Sequence, residues 1–384
     1  MPRITKTFIA VHACILFMSP SFASQTETVS SEKLLPAQWV LSAHAEDVAL
    51  ARGLPVMALD RANWPAYWTD TGAPAKAVRN LQAELMATHP NGWQLSAVVR
   101  AQAWLEASAD AATVAALDAM RSDPVAPRSF KLTASGQSWQ GQGIKVGTPW
   151  RALGGAGQWQ WHANAQLLSL KRLRTDQVGG DIVYQGVGVY DFNVAAQRAN
   201  TSITGPFLPP SGLNGQGAAF SLVLKGEPLP GLHLHLQADD LVSRLQWSGM
   251  ALDTSVLKSQ VTTRAADGSL DYAALINGQM SLVAMDERMA PHWRINASWL
   301  LPAKQAGEVT FRANRLAGMN QFWLGWQGDN LAHEKPHWAF EIEPSRKALS
   351  AELTWGNWHA LLATDGKGAR TEYRRWFLGW QTAL

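Results

Sequence analysis

Apolar and polar side chains alternate along most of the chain, one residue at a time and in short runs. The clearest runs lie at 232–237, 338–343 and 349–355. Because successive side chains of a strand point to opposite faces, each run predicts a strand with one apolar and one polar face. Turns rich in Gly, Pro, Asp and Asn separate the runs. The pattern predicts a mainly β domain over residues 128–384, built as a long curved antiparallel sheet or an open barrel-like groove.

The preceding segment, residues 34–121, mixes the two periodicities and predicts a small α+β region. Pro74 stands where a first helical turn tolerates proline, and Val78, Leu81 and Leu85 follow at helical spacing, so a helix is expected from there to Pro90. Alternation then predicts a strand over 93–105, and an Ala-rich run predicts a second helix over 109–120. Two prolines within residues 122–127 indicate a linker to the β domain.

The first 23 residues have the pattern of an export signal. A basic start with Arg3 and Lys6 leads into a short apolar run, and Ser21-Phe22-Ala23 is a small-x-small cleavage site. An uncleaved anchor and a lipoprotein modified at Cys14 are the alternatives, although the apolar run falls short of the roughly 20 residues that span a bilayer. Residues 24–33 are polar and predict a flexible leader. Cleavage would remove Cys14, the only cysteine of the chain, which fits a bacterial envelope protein.

Charge and hydropathy exclude two classes of protein. Removing Arg3 and Lys6 from the 33 basic residues leaves 31 against 30 acidic ones, so no basic stripe is available for a nucleic acid. After Ser24 no run approaches 18 consecutive apolar residues, which argues against membrane-spanning helices.

Motifs for catalysis are missing from the sequence. It contains no His-Glu-x-x-His, no Gly-x-Ser-x-Gly and no phosphate-binding loop, so we expect a non-enzymatic protein without a cofactor. His233 and His235 are a weak candidate metal pair, because alternate strand positions place both rings on one face. Asp239 and Asp240 follow them, and adjacent acidic residues of this kind are expected to be solvated. No metal site is predicted from two ligands.

Tryptophan is unusually frequent, with 19 residues against 11 Phe and 5 Tyr. It suits core packing, stacking on sugars, or the boundary between hydrocarbon and water, and composition alone does not choose among them. The hexamers 322–327 and 376–381 read FWLGWQ and WFLGWQ and begin 54 positions apart. They are compatible with equivalent strands of a repeated hairpin or with coincidence in a Trp-rich chain.

Several short motifs resemble the type II secretion system protein N family and its AsmA-like relatives. They are Gly136-Gln-Ser-Trp139-Gln-Gly141, Gly147-Thr148-Pro-Trp150 and Trp159-Gln-Trp161 leading into Leu167-Leu168, followed by Leu213-Asn214-Gly215 and Trp247-Ser248-Gly249. The likeness covers about a third of the chain, roughly 125–265. It implies a curved periplasmic sheet with an apolar concave face that serves a secretion machine or handles lipid, and it brings no catalytic residues.

The leading hypothesis is therefore a periplasmic β-groove that binds envelope lipid or a protein of the secretion machinery. Its candidate lipid- or partner-facing residues are Leu232, Leu234, Leu236, Phe322, Leu324, Trp326, Trp376, Leu378 and Trp380. The first alternative is an outer-membrane β-barrel, in which Trp376, Leu378 and Trp380 would face lipid and residues 375, 377, 379 and 381 the lumen. The second alternative is a periplasmic protein that binds or processes glycan.

Overall fold

A computed structural model describes residues 38–59, 63–154, 159–202, 215–264, 270–300, 307–328, 336–366 and 368–384. The predicted export signal and leader lie outside these residues. The strands are β1 Val40–Arg52, β2 Ala75–Thr88, β3 Gln94–Ala107, β4 Arg128–Gly147, β5 Arg151–Leu153, β6 Trp159–Gly186, β7 Val189–Asn200, β8 Gly215–Leu229, β9 Leu232–Arg264, β10 Leu270–Glu287, β11 His292–Leu300, β12 Glu308–Leu316, β13 Met319–Gln327, β14 His337–Glu343, β15 Ala348–Trp355, β16 Trp358–Thr364 and β17 Tyr373–Ala383. One α-helix, α1 at Ala109–Met120, and 3-10 turns at Val56–Leu59, Trp64–Tyr67 and Gly368–Arg370 complete the elements of this part of the chain.

Fourteen antiparallel strands close into a barrel. Around the barrel they follow the order β1, β2, β3, β4, β6, β8, β9, β11 and then β12 to β17, and β17 pairs with β1 to close it, from Val40↔Ala383 to Leu50↔Tyr373. We call the end with Val40 and Ala383 the terminal rim and the opposite end the distal rim. The predicted mainly β, antiparallel fold is confirmed, and closure leaves the barrel itself without an exposed edge.

Three of the strands continue beyond the barrel at the distal rim. There β6 exchanges its partner β8 for β7, and β9 exchanges β11 for β10. The outer halves of β4, β6 and β9 thus combine with β7 and β10 into a five-stranded wall above the distal rim. The longest strands of the chain, β6 and β9, belong to both the barrel and this wall.

The helix α1 lies where the sequence predicts it. Ser108 caps its amino terminus by accepting a hydrogen bond from the Ala111 N–H, and Arg121 ends it in the left-handed conformation. Its apolar face packs with the first two 3-10 turns against outward side chains of β1 to β3, such as Ala77 and Leu105. Across the part of the chain that the structure describes, no helix has the length and apolar character needed to cross a bilayer.

The helix predicted from Pro74 to Pro90 is wrong, because this segment is strand β2. Cross-strand pairing with β1 and β3 places Val78 in the lumen but Leu81 and Leu85 on the outer face. The three residues at helical spacing therefore lie on both faces of a strand, not on one face of a helix. The strand predicted over 93–105 is confirmed as β3. The barrel includes β1 to β3 beside β4, and residues 122–127 connect α1 to β4.

Glycines on the lumen face of β8 allow this strand to lie against large side chains of β9. A Cβ atom at Gly215 would lie 2.2 Å from Trp247 Nε1, and one at Gly217 would lie 2.9 Å from Leu245 Cδ2. Trp247 and Leu245 are the cross-strand partners of these glycines on β9. The lumen at this point is filled by side chains of one strand lying over the bare backbone of the next.

Candidate functional site: outer face and lumen of the barrel

The outer face of the barrel carries exposed apolar side chains on most of its strands, together with an ion pair between Asp47 of β1 and Arg79 of β2. Cross-strand pairs share a face, so the pairing divides the side chains into two sets, and the contact of Glu46 with Arg294 across the barrel identifies the set that faces the lumen. Exposed outward residues include Leu85, Leu95, Val99, Ile144, Val146, Leu167, Phe220, Leu222, Trp293, Ile295, Val309, Phe311, Phe322, Leu324, Phe340, Ile342, Leu349 and Leu362. Water-exposed apolar surface of this extent is unusual for a monomeric soluble protein.

A row of outward tryptophans borders this apolar surface near the terminal rim. Its members are Trp299, Trp326, Trp338, Trp355, Trp358 and Trp380. Towards the distal rim, the outer face of the same strands carries Arg315 and Arg374. None of the outward positions between the tryptophan row and these arginines on β11 to β17 has an ionisable side chain. Tryptophan is typical of the boundary between hydrocarbon and water.

All nine residues that the sequence singles out as lipid- or partner-facing lie on the outer face. Leu232, Leu234 and Leu236 pair with outward positions of β11, and the two hexamers occupy equivalent positions on β13 and β17. The groove hypothesis places them on a concave surface, whereas in the closed barrel they lie on the convex outside. Arg375 and Phe377 are on the lumen face, as the barrel alternative expects. Contact of the nine residues with lipid or a partner stays a prediction.

Charged side chains meet in the lumen instead. Arg375 donates to the Glu46 carboxylate at 2.8 Å through Nε, and Arg294 Nη1 lies 3.4 Å from the same carboxylate. Arg294 also donates to Asp239 at 2.7 Å. Arg312 on β12 pairs with Glu341 on β14, on the same side of the barrel as Arg294. Each of these charges has an opposite charge beside it, which is the condition for burying ions in a protein.

The Glu46–Arg294 pair joins opposite walls of the barrel. Strands β1 and β11 are seven positions apart in either direction around the fourteen-stranded ring. A direct contact between their side chains requires the two walls to approach each other closely. The lumen is therefore flattened and bridged at mid-height, unlike the water-filled channel of larger porins.

A second bridge links Arg100 on β3 to Asp240 on β9. Arg100 donates to both carboxylate oxygens, at 2.8 and 2.6 Å, and its guanidinium lies 5.6 Å from the centre of the Trp139 ring. Asp240 is 3% exposed and has a positive φ of 58°, at the bulge where β9 changes from β11 to β10 as its partner. The expectation that Asp240 is solvated is wrong, because it is the buried counter-ion of a residue 140 positions earlier in the chain.

The two halves of the lumen differ in polarity. Towards the distal rim, a buried apolar cluster fills the space between the walls with side chains such as Leu50, Val78, Leu316 and Trp323. Towards the terminal rim, the lining is polar and less buried, and His359 pairs with Glu352 at 2.8 Å there. We call the polar half of the lumen the polar cup. The apolar cluster closes this cup on its distal side.

The two histidines of the weak candidate metal pair lie on the lumen face, and they do not belong to a metal site within the described residues. His233 and His235 point into it from alternate positions of β9, opposite Ser298 and Asn296 of β11. Within the described ranges, no group of three or more His, Cys, Asp or Glu side chains has an arrangement that could hold a metal ion. The sequence pattern did not identify Glu46, Arg100 or Arg294, because their partners lie on strands far away along the chain.

Comparisons with known proteins add little to this geometry. No family model matches the chain, and no curated protein matches it. Among solved structures, one similar chain is the "CymD monoaromatic hydrocarbon channel", at 10% sequence identity, with 90% of this chain and 88% of that chain covered and a TM-score of 0.27. A TM-score of this size carries no argument about this chain, and the fold stands on its own strand pairing.

Proposed function

We propose that the protein is an outer-membrane β-barrel whose outer face contacts lipid and whose lumen is a polar cup that binds small solutes. The observation that carries this proposal is the sorting of side chains: apolar residues predominate on the outer face, with a tryptophan row at one border, whereas the ion pairs of Glu46, Arg100 and Arg294 lie in the lumen. A barrel in water would have the opposite distribution, whereas alternation with the apolar face outside is the pattern of transmembrane barrels.

The size of the insertions at the two rims supports an orientation of the proposed barrel in the membrane. The largest insertions, which are α1, two 3-10 turns and the five-stranded wall, lie at the distal rim, and short turns occur at both rims, after Leu229 and Trp355 at the terminal rim and after Leu316 at the distal rim. Bacterial outer-membrane barrels have short periplasmic turns and longer extracellular loops. The distal rim is thus the extracellular side of the proposed barrel, and the polar cup opens towards the periplasm.

The predicted export signal agrees with this location. The resemblance to the type II secretion protein N family, the secretion-machinery partner that it implies and the absence of enzymatic activity stay predictions. So does the periplasmic location of the leading hypothesis.

Fractionation of cells that produce the full chain tests the proposal. We expect the protein in the outer-membrane fraction after density-gradient separation, resistant to extraction by urea and soluble in detergent. Its migration in SDS gels is expected to change on boiling, because closed barrels resist SDS until they are heated. Release by osmotic shock together with a soluble periplasmic marker would overturn the proposal and favour the periplasmic groove.

A further inference from the structure

A cluster of buried hydrogen-bond donors at the border of the polar cup is left without partners. The atoms are Arg312 Nε, Arg375 Nη1, Trp323 Nε1 and the Tyr373 hydroxyl, and none of them has a hydrogen-bond partner among the residues that the structure describes. The four side chains are at most 9% exposed. Buried donors of this kind are normally paired, so an acceptor that enters the cluster by displacing neighbouring side chains would be stabilised by these donors.

The four donors belong to one place in the lumen. The rings of Trp323 and Tyr373 lie 5.2 Å apart between centroids, and the Arg312 guanidinium lies 5.3 Å from the Trp323 ring. Arg375 follows Tyr373 by two positions on the same face of β17. Strands β12, β13 and β17 therefore contribute donors to one small region between the two walls.

The chemistry of this region favours an anion with an apolar body. Two of the donors belong to guanidinium groups, which form strong hydrogen bonds with a carboxylate, and a carboxylate has enough lone pairs to accept from all four. Glu46 and Glu341 already pair with other atoms of Arg375 and Arg312, so they hold the guanidiniums in place. The adjoining apolar cluster contributes Phe377 and Leu361, which would contact the rest of the solute.

We propose that this region, defined by Arg312, Trp323, Tyr373 and Arg375, is a binding site for a small monocarboxylate with an apolar body. The inference rests on the proposed function, since it assigns a class of solute to the lumen of the barrel. The carboxylate accepts hydrogen bonds from the four donors, and the apolar body packs against Trp323 and Phe377.

Calorimetric titration of the purified full-length protein in detergent tests the site. The probes are benzoate, its uncharged analogue benzamide, and acetate, which lacks an apolar body. We expect benzoate to bind, and benzamide and acetate to bind at least about tenfold more weakly. Benzamide lacks the negative charge, and acetate lacks the apolar body.

Two variants remove single donors without removing a charge. Tyr373→Phe and Trp323→Phe are each expected to weaken benzoate binding by about tenfold, the usual effect of losing a hydrogen bond to a charged group. Trp247→Phe is the matched control, because the Trp247 indole is also buried without a partner but lies in a different apolar cluster. It is expected to leave benzoate binding unchanged, and boiling-dependent migration in SDS gels verifies that each variant is folded.

Absence of benzoate binding, equal affinity for benzamide, or equal affinities of the Tyr373→Phe, Trp323→Phe and Trp247→Phe variants would overturn the site. Fractionation is independent of this result. A protein that resides in the outer membrane but does not bind benzoate contradicts this inference alone, whereas a soluble periplasmic protein contradicts the proposed function itself.

Discussion

Replacing Arg100 with Met is expected to destabilise the protein by about 3–5 kcal/mol, the usual cost of removing one partner from a buried ion pair. The substitution leaves the Asp240 carboxylate buried opposite an apolar side chain. It also removes the contact of the guanidinium with Trp139. Urea unfolding of the protein in lipid vesicles, followed by tryptophan fluorescence, measures the difference in the free energy of unfolding.

Two further variants separate the ion pair from a general loss of stability. Arg244→Met removes a cation from the exposed pair with Asp286, and we expect no measurable change in stability because water and salt screen such a pair. Combining Arg100→Met with Asp240→Leu removes both buried charges, and the double variant is expected to be more stable than Arg100→Met alone. Equal effects of Arg100→Met and Arg244→Met would show that Arg100 does not bridge two walls.

The second large effect is expected on the outer face. Leu324→Arg places a cation in the middle of the apolar surface on β13, between Phe322 and Trp326. In a bilayer, a lipid-facing arginine near the midplane costs about 2–4 kcal/mol and much less near the interface. The free energy of unfolding in vesicles is therefore expected to fall by about that amount.

Asn320→Arg is the matched control for Leu324→Arg, because Asn320 lies on the same strand and the same face but close to the distal rim. We expect a cost of about 0–1 kcal/mol there, since the arginine reaches the interface. If both variants are equally well tolerated, the outer face of β13 is not in contact with hydrocarbon.

The alternation of side chains made the β fold predictable from the sequence. The runs at 338–343 and 349–355 correspond to β14 and β15, and 232–237 to the start of β9. A two-residue period identifies two faces of a strand, but it does not say which face is inside. In a water-soluble sheet the apolar face is buried, whereas here it is the outer one, so the same pattern allowed both a groove and a barrel.

Strand β2 shows why a local pattern can mislead. Its outward positions include Ala75, Ala77, Ala83 and Ala87, and small side chains of this kind give a weak apolar signal. The larger apolar residues at helical spacing then dominated the pattern. Pairing with β1 and β3 over the whole strand outweighs that local preference, since β structure depends on its neighbours more than on intrinsic propensity.

The lumen network could not be predicted, because its contacts are long-range. Arg100 and Asp240 are 140 residues apart, and Arg294 and Glu46 are 248 apart. No local spacing marks such pairs, and the adjacent acids Asp239 and Asp240 look like a solvated turn in the sequence. Only closure of the barrel brings their partners opposite them.

The measurement that tests the lipid-facing outer surface most directly is the accessibility of single nitroxide labels in reconstituted vesicles. Cys14 is the only cysteine of the chain and lies in the predicted export signal, so a label can be placed by one substitution in a Cys14→Ser background. Leu324→Cys reports on the outer face, and Thr310→Cys reports on the lumen face of the neighbouring strand β12.

With the outer face in lipid, the label at 324 is expected to be accessible to oxygen, which concentrates in hydrocarbon, and protected from a water-soluble nickel chelate. The label at 310 is expected to be less accessible to oxygen than the label at 324. If the label at 324 instead collides with the nickel chelate as freely as a label on a surface in water, the outer face does not contact lipid, and the protein is not an outer-membrane barrel.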